Sequence, residues 1–142
     1  MHVKSLATLF IKKLSNKKLE KNFERTITAV ADSFDDDSSG EDHIAVVTTD
    51  DTMTGKQLQV YETDGELVLN QPVNYDYSEV RIYGQELYFY GTHHLDVMRM
   101  NGTTKFQVDF DVELTGVFPG GRSTDYLVVD YNSIRKIRMK SK

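Results

Sequence analysis

The chain has 142 residues and a formal net charge of −5, from 17 Lys and Arg against 22 Asp and Glu. Its 39% hydrophobic and 11% aromatic content can fill a core, which excludes wholesale disorder, and the acidic balance argues against a dedicated nucleic-acid binder. With no cysteine there are no disulfides, thiolate metal sites or cysteine nucleophiles, and no apolar run reaches the about 18–20 residues of a spanning helix.

Residues 1–34 form an ambiguous first unit. Met1–Leu14 has a basic flank, but Lys12 and Lys13 interrupt its apolar residues and no small-residue cleavage site follows, so it does not read as a signal peptide. Lys17–Ala31 supports two readings. Leu19, Phe23, Ile27 and Val30 recur at helical spacing, whereas Thr26-Ile27-Thr28-Ala29-Val30 holds a β-branched run that suits a strand. The strand is preferred, slightly. Residues 35–43, opening Asp35-Asp36-Asp37-Ser38-Ser39-Gly40-Glu41-Asp42, read as an exposed acidic loop, because like charges repel and no apolar residue anchors them.

From Ile44 onward the pattern is period-2 alternation in short runs. Strands are predicted at Ile44–Thr48, Leu58–Tyr61, Glu66–Asn70, Val80–Tyr83, Glu86–Tyr90, Leu95–Met100, Lys105–Phe110, Leu114–Phe118, Tyr126–Val129 and Ile134–Met139. Asp64-Gly65 and Asn101-Gly102 predict type I′ hairpin turns, since that turn needs positive φ at both central residues. Gly84-Gln85 is a weaker signal of the same kind, and Pro119-Gly120-Gly121 marks a looser connection. The fold class is all-β.

An internal repeat orders these strands. Leu58-Gln59-Val60-Tyr61-Glu62-Thr63-Asp64-Gly65 matches Leu95-Asp96-Val97-Met98-Arg99-Met100-Asn101-Gly102, with the two glycines 37 residues apart. A truncated third copy runs through Tyr126–Val129 and Ile134–Met139. Four antiparallel strands in about 40 residues is the period of a β-propeller blade. The expectation is a single β-rich domain over 1–142, a partial propeller with blade-like repeats at 44–83, 86–118 and 126–139.

Four stretches carry a resemblance: Leu58–Gly65, Asn74-Tyr75-Asp76-Tyr77-Ser78, Met100–Phe106, and Asp125–Val129 with Ile134–Met139. Together they resemble the last two to three blades of an uncharacterised bacterial, mainly Firmicute, propeller-like family of unknown function. The resemblance implies a fold and an origin, with no catalytic residues to carry over. Members of that family resemble longer chains with an N-terminal membrane anchor ahead of the propeller, and these 142 residues include neither the anchor nor the early blades. The chain reads as cytoplasmic as written, and as extracytoplasmic if cut from an anchored parent.

Candidate sites are few. Asp35-x-Asp37-x-Ser39-Gly40 matches half of a calcium loop, but the position that should hold a bidentate Glu is Val46, so a solvated loop is expected. His93-His94 has no third ligand at a diagnostic spacing, and neighbouring strand residues point to opposite faces, so a plain polar loop is expected there. Among Tyr75, Tyr77, Tyr83, Tyr88, Phe89 and Tyr90, packing is expected of Tyr88 and Tyr90, while Tyr75 and Tyr77 read as loop-borne surface residues. No phosphate loop, nucleophile elbow or H-E-x-x-H motif is present. No catalytic, cofactor-binding or metal residue is assigned. The basic end, Arg135-Lys136-Arg138-Lys140-Lys142, reads as one face of a last strand with a solvated tail. The expected function is a non-enzymatic interaction or scaffold module with a protein partner. A small acidic inhibitor covering a basic site on another protein is the alternative, and a sugar-active or hydrolytic enzyme ranks last. Because an unclosed array leaves free edges and faces, a homodimer is expected, with Leu6–Leu14 able to pair with Ile134–Met139.

Overall fold

The computed structural model describes residues 23, 25–33, 42–49, 55–74 and 77–140. The strands in these residues are β1 (Thr26–Asp32), β2 (His43–Thr49), β3 (Lys56–Glu62), β4 (Leu67–Val73), β5 (Glu79–Tyr83), β6 (Glu86–Tyr90), β7 (His94–Arg99), β8 (Thr104–Asp109), β9 (Gly116–Pro119), β10 (Asp125–Val129) and β11 (Ile134–Arg138). They pair antiparallel in three sheets, β1-β2-β3-β4, β5-β6-β7-β8 and β9-β10-β11. No helix occurs among the described residues, so the all-β expectation holds. Two compact units divide the chain, Met1–Asn74 with the first sheet and Tyr75–Lys142 with the other two.

In the first unit the β-branched run decides the N-terminal ambiguity. Residues 26–32 are strand β1, with Ile27 and Ala31 buried, paired along β2 from Thr26↔Thr49 to Asp32↔Ile44. Residues 17–22 and 24, the Leu6–Leu14 stretch and residues 35–41 of the acidic loop lie outside the described residues. Strand β3 shows the predicted alternation, with Leu58 and Val60 buried between less buried neighbours. Arg25 ties β1 to the far end of β2, donating from Nε to Thr48 Oγ1 at 3.0 Å and from Nη2 to the Gly55 carbonyl at 2.9 Å.

The two repeat turns are hairpins, but not of the expected type. Gly65 N–H donates to Glu62 O and Glu62 N–H to Glu66 O, both at 2.9 Å, which leaves a three-residue loop, Thr63-Asp64-Gly65. Gly102 N–H and Arg99 N–H bond Arg99 O and Thr103 O in the same way at 2.8 Å, around Met100-Asn101-Gly102. Each glycine therefore sits after the tight turn, with φ of 91° and 92°, instead of at its centre. The preceding Asp64 and Asn101 use Oδ1 to accept from the backbone N–H two residues on, at 2.8 and 3.0 Å. Both hairpins carry a bulge just beyond the loop, at Val60/Tyr61 and at Val97/Met98.

The expected unit boundaries shift by one strand. Gly84-Gln85 joins Tyr83 to Glu86 as a two-residue hairpin, so Val80–Tyr83 opens the second sheet instead of closing the first. The Leu114–Phe118 segment likewise supplies β9, the first strand of the third sheet. Strands joined by a two-residue hairpin share a sheet, so no break falls at Gly84; after Pro119 a longer connection returns the chain to pair β10 with β9.

The core of the second unit lies between its two sheets. Tyr88, Tyr90, Leu95, Val97 and Phe106 of the second sheet meet Leu114, Val117, Tyr126 and Val128. Tyr126 is the hub: its ring packs edge-on against Tyr88 at 5.7 Å and Phe106 at 4.9 Å. The packing expected of Tyr88 and Tyr90 is what the structure shows. Lys105 is the bulged residue of β8, without a register partner between Thr104 and Phe106. A bulge re-aims a side chain, and Lys105 turns towards the same joint. It is 5% exposed, donates to Glu86 Oε2 and to the Ser123 carbonyl at 2.5 Å each, and lies 5.4 Å from the Tyr126 ring centroid. Burial opposes its charge, but the hydrogen bonds and charges of Glu86 and Tyr126 together outweigh that and hold its pKa above the usual lysine value.

Two stability outcomes follow from this geometry. Gly102→Val forces a side chain into a left-handed backbone and should destabilise by about 1–2 kcal/mol in a urea melt. Lys105→Ala should lose about 2–3 kcal/mol by the same assay, below the about 3–5 of a fully buried pair because Glu86 still meets water; replacing both partners by apolar residues should lose less.

Candidate functional site

Turn chemistry brings the charged groups of the second unit together. Gly91 N–H donates to His94 O at 2.9 Å and Phe110 N–H to His93 O at 2.8 Å, so the Gly91–His93 bend is clamped on both sides as it enters β7. His94 heads β7, faces Asp109 at the end of β8, and shares its strand face with Asp96 two residues on. The Asp96 carboxylate is 0% exposed, in cross-strand register with Phe89 and Gln107. His94 Nε2 lies 2.7 Å from Asp96 Oδ2, and its Nδ1 is hydrogen-bonded to Asp109 Oδ1.

A carboxylate at each ring nitrogen favours the protonated imidazole. Partial burial opposes that charge, but the Asp109 hydrogen bond and the Asp96 and Asp109 charges outweigh it and raise the His94 pKa. Burial raises the Asp96 pKa, against the pull of Gln107 and His94. His94 and Asp109 line a groove of about 410 Å³ with Tyr77, Ser78, Gly91, Thr92 and His93, and Asp96 lies buried beneath His94. Tyr77 packs edge-on against Phe89 at 5.5 Å.

The plain polar loop expected at His93-His94 is therefore corrected. The bend brings both residues to one groove, and His94 finds two acidic partners. Asp96 was legible as the next residue on the same face; Asp109 becomes visible only through the β7–β8 register. Of the other candidates, Tyr75 and residues 35–41 lie outside the described residues, and Val46 is buried in β2. Sequence reasoning passed over Glu62, Asp64 and Glu66 at the first repeat turn, whose carboxylate oxygens lie within 4.8 Å of one another; Asp64 and Glu66 are exposed and Glu62 half-buried. No helix among the described residues is long and apolar enough to cross a membrane.

A second surface lies on the third sheet. Val117, Tyr126 and Val128 face the core, so alternation turns Phe118, Leu127, Val129 and Ile134 to the other side. Leu127 stands between Phe118 and Lys136, and Val129 between Gly116 and Ile134. None of the four apolar residues is buried, and Ile134 is 70% and the adjacent turn residue Tyr131 79% exposed.

Residues 8–139 match the model of a family of unknown function, DUF5711. The chain belongs to that family. DUF5711 membership agrees with the resemblance read from the repeat stretches in naming a family without an assigned function. No curated protein matches the chain. Among solved structures, that of BBS1N in complex with ARL6DN, soaked with lead, is similar at 12% identity and a TM-score of 0.36, covering 86% of this chain and 55% of that one. The DUF5711 chain thus spans about half the length of that neighbour.

A pH dependence follows from the His94 cluster. The folded-state pKa of His94 lies above its ordinary 6.5, so its contribution is fully present below that value and is lost as pH rises through the folded pKa. The raised Asp96 pKa acts in the same direction at acid pH. The urea midpoint should fall from pH about 6 to about 9, and His94→Gln should flatten that fall.

Proposed function

We propose that this DUF5711 protein is a non-enzymatic interaction module of propeller-like repeats, and that the third sheet is its docking surface. The observation that carries this is the row of Leu127, Val129 and Ile134 on the side away from the core, continued by Tyr131 and flanked by Phe118, whose ring also meets Tyr83 of the second sheet at 6.1 Å. Blade-like sheets bury a face only against a neighbour, as the second sheet does against the third. A second copy of the chain offers faces of the same kind, so the occupant is a second copy and the assembly a homodimer. The resemblance of the four repeat stretches to the last blades of longer bacterial chains supports placing the array in a larger propeller of bacterial origin.

Light scattering at micromolar concentration tests the reading. The expected mass is twice that of the chain, and Ile134→Glu, at an exposed position, should weaken association by at least about tenfold. A stable monomer would overturn the docking surface.

A further inference from the structure

The three sheets differ in one respect. In the first two, the third strand is paired on both edges, β3 with β2 and β4, and β7 with β6 and β8. Strand β11 holds the same place in the third sheet, yet it pairs with β10 alone among the described residues. None of the described residues occupies a fourth position beside it.

The backbone at that edge is ready for a ladder. Met139 N–H donates to Thr124 O at 2.8 Å and Asp130 N–H to Ser133 O at 3.0 Å, which fixes the phase of the β10–β11 pairing. Arg135 and Ile137 therefore direct their N–H and C=O groups to β10, whereas Ile134, Lys136 and Arg138 direct theirs to the open edge.

Charge selects what can pair there. Arg135, Lys136, Arg138 and Lys140 are exposed cations, and residues 134–140 contain no acid. Only Arg138 forms an ion pair among the described residues, with Asp125 at 2.8 Å. Like charges opposed across a ladder are destabilising, and lysine on an edge strand keeps it from pairing with copies of itself. A second β11 is thus disfavoured, and so is the Leu6–Leu14 stretch, which brings Lys12 and Lys13. Opposite charges stabilise the same ladder. Ile134 and Ile137 add one apolar position on each side of the strand.

We propose that β11 accepts, as the fourth strand of its sheet, an extended segment of another protein in which acidic and β-branched residues alternate. Main-chain hydrogen bonds to Ile134, Lys136 and Arg138 supply the affinity, and Arg135 and Lys136 select the acidic segment. This rests on the third sheet being an interaction surface and adds the partner's chemistry.

The probe is a short fluorescein-labelled peptide of alternating glutamate and valine, titrated against the full chain. Saturable binding is expected, with the lysine–valine counterpart at least about tenfold weaker. Lys136→Pro removes an outward N–H that β10 does not use, so it should abolish binding while circular dichroism stays unchanged. Lys136→Glu keeps that N–H and should weaken binding by about tenfold or more. In hydrogen exchange, the peptide should protect the amides of Ile134, Lys136 and Arg138. Absence of saturable binding, equal binding of the lysine–valine peptide, or unprotected edge amides each overturn the proposal. If these occur while the dimer persists, strand addition alone is wrong; if the chain is also monomeric, the docking surface falls with it.

Discussion

The bulge that aims Lys105 at Tyr126 is what joins the second sheet to the third. The third sheet has three short strands, and a sheet that small needs packing to be stable. That packing is centred on Tyr126, whose ring meets Tyr88 and Phe106, while Lys105 and Glu86 close the joint on its polar side. An unbulged β8 would alternate Lys105 away from Phe106 and leave Glu86 without its counter-charge. A backbone irregularity in one sheet thereby determines the seating of the next.

The second unit handles its buried charges in two ways. Lys105 is surrounded by acceptors and draws its pKa upward from them. Asp96, on the other side of the same sheet, has one cationic partner among the described residues, and that partner is a histidine. The first arrangement is insensitive to physiological pH because the Lys105 pKa is raised further above it; the second is sensitive because imidazole titrates near it. The two sides of one sheet therefore differ in what holds them when the solution changes.

Much of the fold was legible because strand formation is local. Alternation at Leu58 and Val60 and the β-branched run at Thr26–Val30 each settled their element. Sheet boundaries were less so, since Gly84-Gln85 signals a hairpin without saying which strands belong to one sheet. The turn type at Asn101-Gly102 was misread, yet the register it implied was right. A two-residue turn there would pair Val97 with Phe106 and His94 with Asp109, and the longer loop plus the bulge restores those pairs. The His94 site was hidden for a related reason: its acids are two residues away on the strand and fifteen away through the hairpin. No short motif spans both.

The pairing of a three-residue loop with a bulge occurs twice, after β3 and after β7, and it links two lengths that would otherwise vary independently. A one-residue deletion in either loop alone would slip the register and turn every following side chain to the opposite face. Removing the bulged residue as well, Val68 in one hairpin or Lys105 in the other, would return the ladder to register. In the first hairpin such a double deletion discards an exposed valine and is a change the sheet can absorb. In the second it discards the lysine at the joint between sheets. Among related sequences, the first hairpin is thus free to vary in length by matched pairs of residues, while the second is held at its present length.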